Sequence, residues 1–376
     1  MLFLWLMVRI AIVGGGIGGL TAALALRKYG FEPEVFEQAP ALLDVGAAIA
    51  IWPNAMRVLD RLNLADKILE HAGVMNEISW MDQHGRLINR VSIKDHRYPA
   101  VALHRADLQH ILLTALPQSS IHLDKTLVQY EQRSDKMIAT FDDGNSIESD
   151  FLIGADGIHS RVRSQLLNDS DPIFRGYTVW RGISPTVPSS IPPAAAIELH
   201  GRGQRFGLGP VGKGRLGWWA TANVTNTDDV LRLFDGWYPP VLQLIEATPS
   251  SSILKTGAFD RPATRTWGLG RMTLLGDAIH PTTPNLGQGG CLAMEDAMVL
   301  ARCFEKYGAT EEALRKYERA RHKRTSAVSI YSRYYGAVGQ WENIWARSLR
   351  RTAFALVPEA LARRLMQIVF DYNATN

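Results

Sequence analysis

The 376-residue sequence predicts an α/β fold joined to a second, mainly antiparallel-sheet domain and a helical C-terminal region. Three observations carry this. A short apolar run near the start leads through a glycine cluster into a segment with helical spacing. From about 176 to 224 the chain fills with Gly, Pro and aromatic residues at strand-like spacing, including Gly207-Leu208-Gly209-Pro210 and Trp218-Trp219. From Gly287 onward the pattern is almost wholly helical, with Pro358 the one proline in the last 90 residues. At ~100–200 residues per domain, the length itself suggests about two domains.

Taken in order, residues 9–13 are apolar and partly β-branched, which predicts the first strand. Ala and Leu recur at helical spacing over 20–29, and 34–37 reads as a second strand, completing the front half of a βαβ unit. A helix is expected over 106–116. Buried strands are expected over 151–155, ending at Asp156-Gly157, and over 272–275, ending at Gly276-Asp277. The sheet-like stretch lies between these α/β strands, so the first domain is expected to be discontinuous, comprising 1–72, 100–175 and 260–305. Residues 73–99 and 176–259 then form the sheet domain, and 306–376 the C-terminal helices.

Composition excludes some classes. Hydrophobic residues at 46% and charged residues at 21% describe a chain that folds. A net charge of +4 is too dilute to imply nucleic-acid binding, though it suits a small anionic partner. Cys291 and Cys303 fall on one expected helix, where ~1.5 Å of rise per residue holds them too far apart to pair. With no metal-ligand spacing among Cys and His, a reduced, cytoplasmic and metal-free protein is expected. The apolar opening from Met1 to Val8 is far short of the ~18 residues a membrane helix needs. Between Arg315 and Arg364, twelve Lys or Arg stand against three Glu, with Trp341, Trp345, Phe354 and Leu356 interleaved. The expectation there is a solvated face over helices packed on their own domain, rather than a membrane-surface helix.

The run Gly14-Gly15-Gly16-Ile17-Gly18-Gly19 contains G-x-G-x-x-G at Gly14, Gly16 and Gly19, between a strand and a helix. The first glycine permits a tight turn, the second lets a pyrophosphate approach the backbone, and the third brings helix against strand. Glu37, at the end of the next strand, is placed to accept from a ribose hydroxyl. FAD and NAD present the same ADP half to such a loop. Two later segments separate them: FLIGADGIHSRVR at 151–163 and GRMTLLGDAIHPTTPNLGQGGCLAMED at 270–296. Each is an apolar strand ending in a Gly/Asp pair, and the second leads into another glycine-rich helix start. A carboxylate there can bind a ribityl hydroxyl, while the amides of Gly287, Gln288, Gly289, Gly290 and Cys291 can stabilise negative charge on a flavin ring. A simple NAD dehydrogenase has no use for that second helix start.

Together these segments resemble the single-component FAD-dependent aromatic hydroxylases, the p-hydroxybenzoate hydroxylase-like flavoprotein monooxygenases, over essentially the whole chain. The closer likeness is to FAD-dependent urate hydroxylases and zeaxanthin-epoxidase-like enzymes, through Gly46-Ala47-Ala48-Ile49, Trp52-Pro53-Asn54 and the segment from Pro284 to Cys291. The resemblance implies a Rossmann-like FAD-binding domain of the GR2 type under an antiparallel-sheet substrate domain. It also implies extended FAD, with Glu37 on the adenosine ribose, Arg105 near the pyrophosphate, Leu127 near the adenine and Asp277 on the ribityl chain. Gln38, Gly46, Ala47, Asp156, Gly157 and Gly276 complete the implied cofactor contacts. NADH or NADPH would serve as co-substrate without a domain of its own, since no second G-x-G-x-x-G follows a strand.

The implied reaction inserts one oxygen atom of dioxygen, by way of a flavin carbon-4a hydroperoxide, into an aromatic or heteroaromatic substrate. The enzyme would be a monomer or homodimer. Arg205 matches the arginine that grips urate in the urate hydroxylases, whereas Val179 and Gly217 stand where those enzymes have an asparagine and a tyrosine, which argues against urate itself. His280 and Pro281 are the remaining candidates at the reacting centre, while His104 and His159 read as structural. Arg181 either faces substrate or pairs on the sheet, and Cys291 is expected to pack rather than react. The competing readings are alkene epoxidation of a carotenoid-like substrate on the same fold, or a flavin-binding protein without turnover. No W-x-W-x-I-P segment of the kind flavin halogenases carry is present.

Overall fold

The computed structural model describes residues 8–41, 46–224, 227 and 229–376; the apolar opening 1–7 lies outside them. A five-stranded, wholly parallel sheet runs in the order Met272–Leu274, Phe151–Gly154, Arg9–Val13, Glu32–Phe36, Ile121–His122. The strands Arg9–Val13, Phe151–Gly154 and Met272–Leu274 are near-continuous apolar runs because both faces are covered there. Helices Ile17–Lys28 and Gly289–Tyr307 pack together on one face, burying Leu20, Ala23, Met294 and Ala297. A three-stranded meander, Leu127–Arg133, Lys136–Phe141 and Ser146–Ser149, adds Met137, Ala139 and Phe141 to the same core. The three strands that precede the glycine motif, Asp156 and Gly276 are immediate neighbours, so their carboxyl ends deliver those groups to one edge. That edge is where open α/β sheets bind ligands.

A seven-stranded sheet follows the order Leu254–Asp260, Ile173–Ser184, Leu216–Ala222, Gln204–Pro210, Ala195–His200, Glu77–Asp82, Leu87–Ser92. It is antiparallel except between Ala195–His200 and Glu77–Asp82, which run parallel. The reason is connectivity: the 77–92 hairpin enters from a separate stretch of chain, so no tight turn imposes direction on that pair. Alternate residues divide the faces. Trp180, Leu199, Phe206, Leu208 and Trp218 bury on the outer face beneath helices Val230–Leu233 and Pro239–Ala247. In register, Arg181 sits opposite Trp219, and Arg205 opposite Thr221, on the inner face. That face looks onto the strand Ala48–Ile51 and the turn at 284–287; a Cβ on Gly217 would lie 2.4 Å from the Ala48 Cβ.

The long helix Glu311–Gly339 ties the two sheets together: Glu318 accepts from Thr273 Oγ1 at 2.7 Å, Arg333 reaches Asp260 at 2.8 Å, and Tyr335 donates to Glu198 at 2.7 Å. Helices Ile344–Leu356 and Glu359–Phe370 then cross the strand Leu87–Ser92. Phe354 packs on Tyr335 and Trp80, but Trp345 and Leu356 point to solvent, because the helix turns only its Arg350 and Phe354 side toward the body. Among the described residues no helix is long and apolar enough to cross a membrane.

Candidate active site

At the first strand end, Gly14 adopts φ +109°, and a Cβ there would lie 2.4 Å from the Ala155 carbonyl oxygen, so the neighbouring strand leaves room only for glycine. A Cβ on Gly19 would sit 1.9 Å from the Gly14 oxygen, which is the close packing of helix on turn. Gly16, by contrast, has nothing within 4 Å of the same position. It is the N-cap of helix Ile17–Lys28 and supplies no capping side chain, so the helix presents free amides toward that open space. Glu37 flanks it, accepting from Gly15 N at 2.6 Å and Ala39 N at 3.0 Å.

The Asp156 carboxylate caps the next helix, accepting from the Ser160 hydroxyl at 2.5 Å and from the Arg161 and Val162 amides. Gly157 beside it has φ +78° and open space around it. Leu127 is buried, and its carbonyl accepts from Arg161 Nη1 at 3.0 Å. Arg105 begins the helix Arg105–Thr114, exposed, with Gly46 against its Cβ and its amide donating to Ala47 O at 3.0 Å. Gln38 is exposed nearby in sequence. His104 is structural, as expected: its Nδ1 accepts from Ala106 N and caps that helix. His159 is exposed, with no partner among the described residues.

The third strand end holds the sharpest feature. Gly276 takes φ +63°, and the following Asp277 reaches solvent through the cleft without a hydrogen bond to any described residue. Its Oδ1 lies 3.8 Å from the position of a Cβ on Gly289, at the start of helix Gly289–Tyr307. Desolvation by the surrounding protein pushes its carboxyl above the usual carboxylate range, although His280 and Arg105 pull the other way. Gly287 is left-handed at φ +60°, and its absent Cβ makes room for Trp52, whose Nε1 is buried without a partner. Gln288 accepts from Asn54 at 3.0 Å while its own Nε2 is likewise unpartnered. Gly290 follows with Ile49 against it. Cys291 is buried and donates to Ala50 O at 3.7 Å; burial pushes its thiol up to about 12, so it packs and does not react. An uncapped helix start, an unpartnered carboxylate and orphaned donors around one turn are the donor set that an extended dinucleotide with a charged ring system requires, and these residues fit FAD.

The residues expected at the reacting centre are not brought together. Pro281 is buried beside the turn. His280 is buried too, its Nε2 2.5 Å from Asp296, which Arg321 holds at 2.6 Å; Arg321 in turn pairs with Glu295, and Glu295 with Arg324 and Asn54. This placement puts His280 in a buried network of charged and polar side chains. Arg205 is fully buried: Nε donates to Gln340 at 3.2 Å, Nη1 to Glu198 at 3.1 Å, and Nη2 to Asn285. Three of its five N–H donors are used within the fold. Arg181 differs, for it is half-buried on the inner face with one side-chain bond, to Thr256 Oγ1 at 3.1 Å. Crowding by the protein and the nearby charge of Arg105 lower its pKa.

Sequence reasoning missed Trp219 as a wall residue, although strand alternation beside the outward Trp218 signalled it. It also missed Asn285, Glu198 and Gln340 as partners of Arg205. No local signal links residues 80 and 135 positions apart.

A protein-family model described as FAD binding domain matches residues 7–330. Aurachin C monooxygenase/isomerase of Stigmatella aurantiaca is 37% identical over 374 residues, 95% of this chain and 97% of its own. The 3-amino-4-hydroxybenzoate 2-monooxygenase of Streptomyces cremeus is 37% identical over 339 residues, 85% of each chain. Among solved structures, Klebsiella pneumoniae HpxO complexed with FAD and uric acid superposes with a TM-score of 0.91 at 28% identity, over 98% of each chain.

Proposed function

The chain belongs to the FAD-binding family of flavoprotein aromatic monooxygenases, and we propose that it hydroxylates an anionic aromatic or heteroaromatic substrate at the expense of NADH or NADPH. The observation that supports this reading is the Asp277 carboxylate, which has no hydrogen-bond partner among the described residues and lies beside the start of helix Gly289–Tyr307; the inner sheet face carries Arg181 and Trp219. FAD, when bound, supplies the redox chemistry that activates dioxygen.

The chain's own residues hold and orient. The helix start at Gly16, with Gly14 and Gly19, takes the pyrophosphate, with Arg105 as its counter-charge. Glu37 exchanges an amide partner for a ribose hydroxyl, Leu127 lines the adenine, and Asp277 binds the ribityl chain. The amides of Gly287 to Cys291 lie where negative charge on the ring system is best stabilised. Substrate lies between that turn and the inner sheet face, with Arg181 favouring its ionised, electron-rich form. The sheet excludes water from the reacting face. We assign 1–72, 100–175 and 260–305 to the flavin domain, 73–99 and 176–259 to the substrate domain, and 306–376 to the C-terminal helices.

Purified protein is expected to be yellow with non-covalent FAD, and to oxidise NADH or NADPH faster when an aromatic or heteroaromatic acid is added. Oxidation that no such acid stimulates would contradict the reading.

A further inference from the structure

The two C-terminal helices leave a large apolar face outside the fold. Ile344 is 70% exposed, Trp345 81%, Leu349 64% and Leu356 73%. With Ser348 and Thr352 between them, these residues form an outward arc of helix Ile344–Leu356 that carries no charge. On helix Glu359–Phe370, Leu361, Leu365 and Ile368 recur at i, i+4 and i+7 and are also exposed. Seven exposed large apolar residues on two adjacent helices far exceed the scattered singles of an ordinary surface.

The helices are firmly seated, so this face does not await burial by rearrangement. Arg350 donates to the carbonyls of Val338, Gly339 and Gly201, and Asn89 donates to those of Phe354 and Val357. Arg324 holds the carbonyls of Ile368 and Val369. Beneath the face, Ala362 and Phe370 enter an apolar cluster with Met75 and Val91. Phe370 stacks on Trp52 at 4.8 Å.

We propose that helices 344–356 and 359–370 form an interfacial platform that seats on an anionic lipid surface. Arg351 and Arg364 are exposed, have no ion-pair partner among the described residues, and flank the apolar arcs. The exposed acid on the second helix, Glu359, is neutralised by Arg363 at 2.9 Å. Apolar arcs edged by free arginines, with an exposed tryptophan, match the boundary between acyl chains and negatively charged headgroups. A second copy meeting this face about a two-fold axis would bring two more free arginines to the contact, and the two helices carry no acid besides the paired Glu359 to receive them. At 13 and 12 residues the helices are too short to span a bilayer and lie along it instead.

The test is co-sedimentation of the FAD-loaded protein with phosphatidylcholine vesicles, with and without phosphatidylglycerol, together with size-exclusion light scattering. Binding is expected to vesicles containing phosphatidylglycerol and to weaken with salt. Trp345→Ser with Leu349→Ser should lower partitioning about tenfold or more, and Arg351→Gln with Arg364→Gln should abolish the preference for the anionic lipid while retaining FAD absorbance. No partitioning of the parent protein into anionic vesicles would overturn the proposal. So would a dimer that the Trp345→Ser, Leu349→Ser variant disperses, since the face would then be a contact between copies.

Discussion

Arg205 donates its Nη2 to the side-chain oxygen of Asn285, so a fully buried cation on the substrate-facing sheet is bolted to the turn that leads into the Gly289 helix. Glu198 accepts from its Nη1 and Gln340 from its Nε, and the helix end at Gly339 comes so close that a Cβ there would lie 2.6 Å from the Arg205 side chain. The guanidinium therefore sets the distance between sheet and turn.

Arg205→Ala is expected to lower stability by about 3–5 kcal/mol, because it strands the carboxylate of Glu198 in a site with little access to water. Denaturant melts of the FAD-loaded enzyme measure this. Substrate-dependent NAD(P)H oxidation should also release more hydrogen peroxide, as the sheet loses its registration over the turn. An unchanged melt with a raised KM would instead make Arg205 a direct substrate contact.

Arg181→Ala should act the other way. Its guanidinium makes one side-chain hydrogen bond, so stability should move by no more than about 0.5 kcal/mol. Loss of a charge-assisted bond to an anionic substrate costs about 1.5–3 kcal/mol, which is one to two decades in KM. Steady-state kinetics with a carboxylated substrate and its neutral amide analogue check this, since only the anion should feel the change.

Asp277→Asn separates cofactor binding from folding. FAD affinity should fall by about 1.5–3 kcal/mol, read by fluorescence titration of the apoprotein. The raised carboxyl pKa has a definite sign: the folded apoprotein holds the proton more tightly than the unfolded chain. Apoprotein stability should therefore fall as pH rises from the ordinary carboxylate value through the raised one. Asp277→Asn should flatten that slope, and a slope that persists would assign it to another group.

Cys291 should resist alkylation by iodoacetamide at pH 8 in the native protein, since a thiol pushed up to about 12 is almost wholly protonated there. Cys303, less buried on the same helix, should react first. Peptide mass mapping after timed quenching distinguishes the two.

Much of the geometry at the three strand ends was legible in the sequence because it is local. Gly14 and Gly19 serve a turn and a helix contact, with open space at Gly16 between them, and Gly276-Asp277 ends a strand whose apolar run announces it. The opposite wall was less legible because its members meet only through pairing: Arg181 stands opposite Trp219 in the strand register, and Arg205 finds Glu198, Asn285 and Gln340 from three separate segments. His280 beside a proline at a strand end reads as a candidate base, yet Asp296, sixteen residues on, returns along the helix to bury it. The meander 127–149 was hidden by its small, half-polar strands, which contribute only alternate residues to the core.

The central claim is that this chain transfers one atom of dioxygen to an aromatic or heteroaromatic substrate. The most direct test is product mass after turnover under isotopically heavy dioxygen, with FAD-loaded enzyme, NADH or NADPH, and whichever aromatic or heteroaromatic acid stimulates reductant consumption. A product carrying a single heavy oxygen atom is expected. A product without label, or reductant consumption that yields only hydrogen peroxide for every such acid, would contradict it.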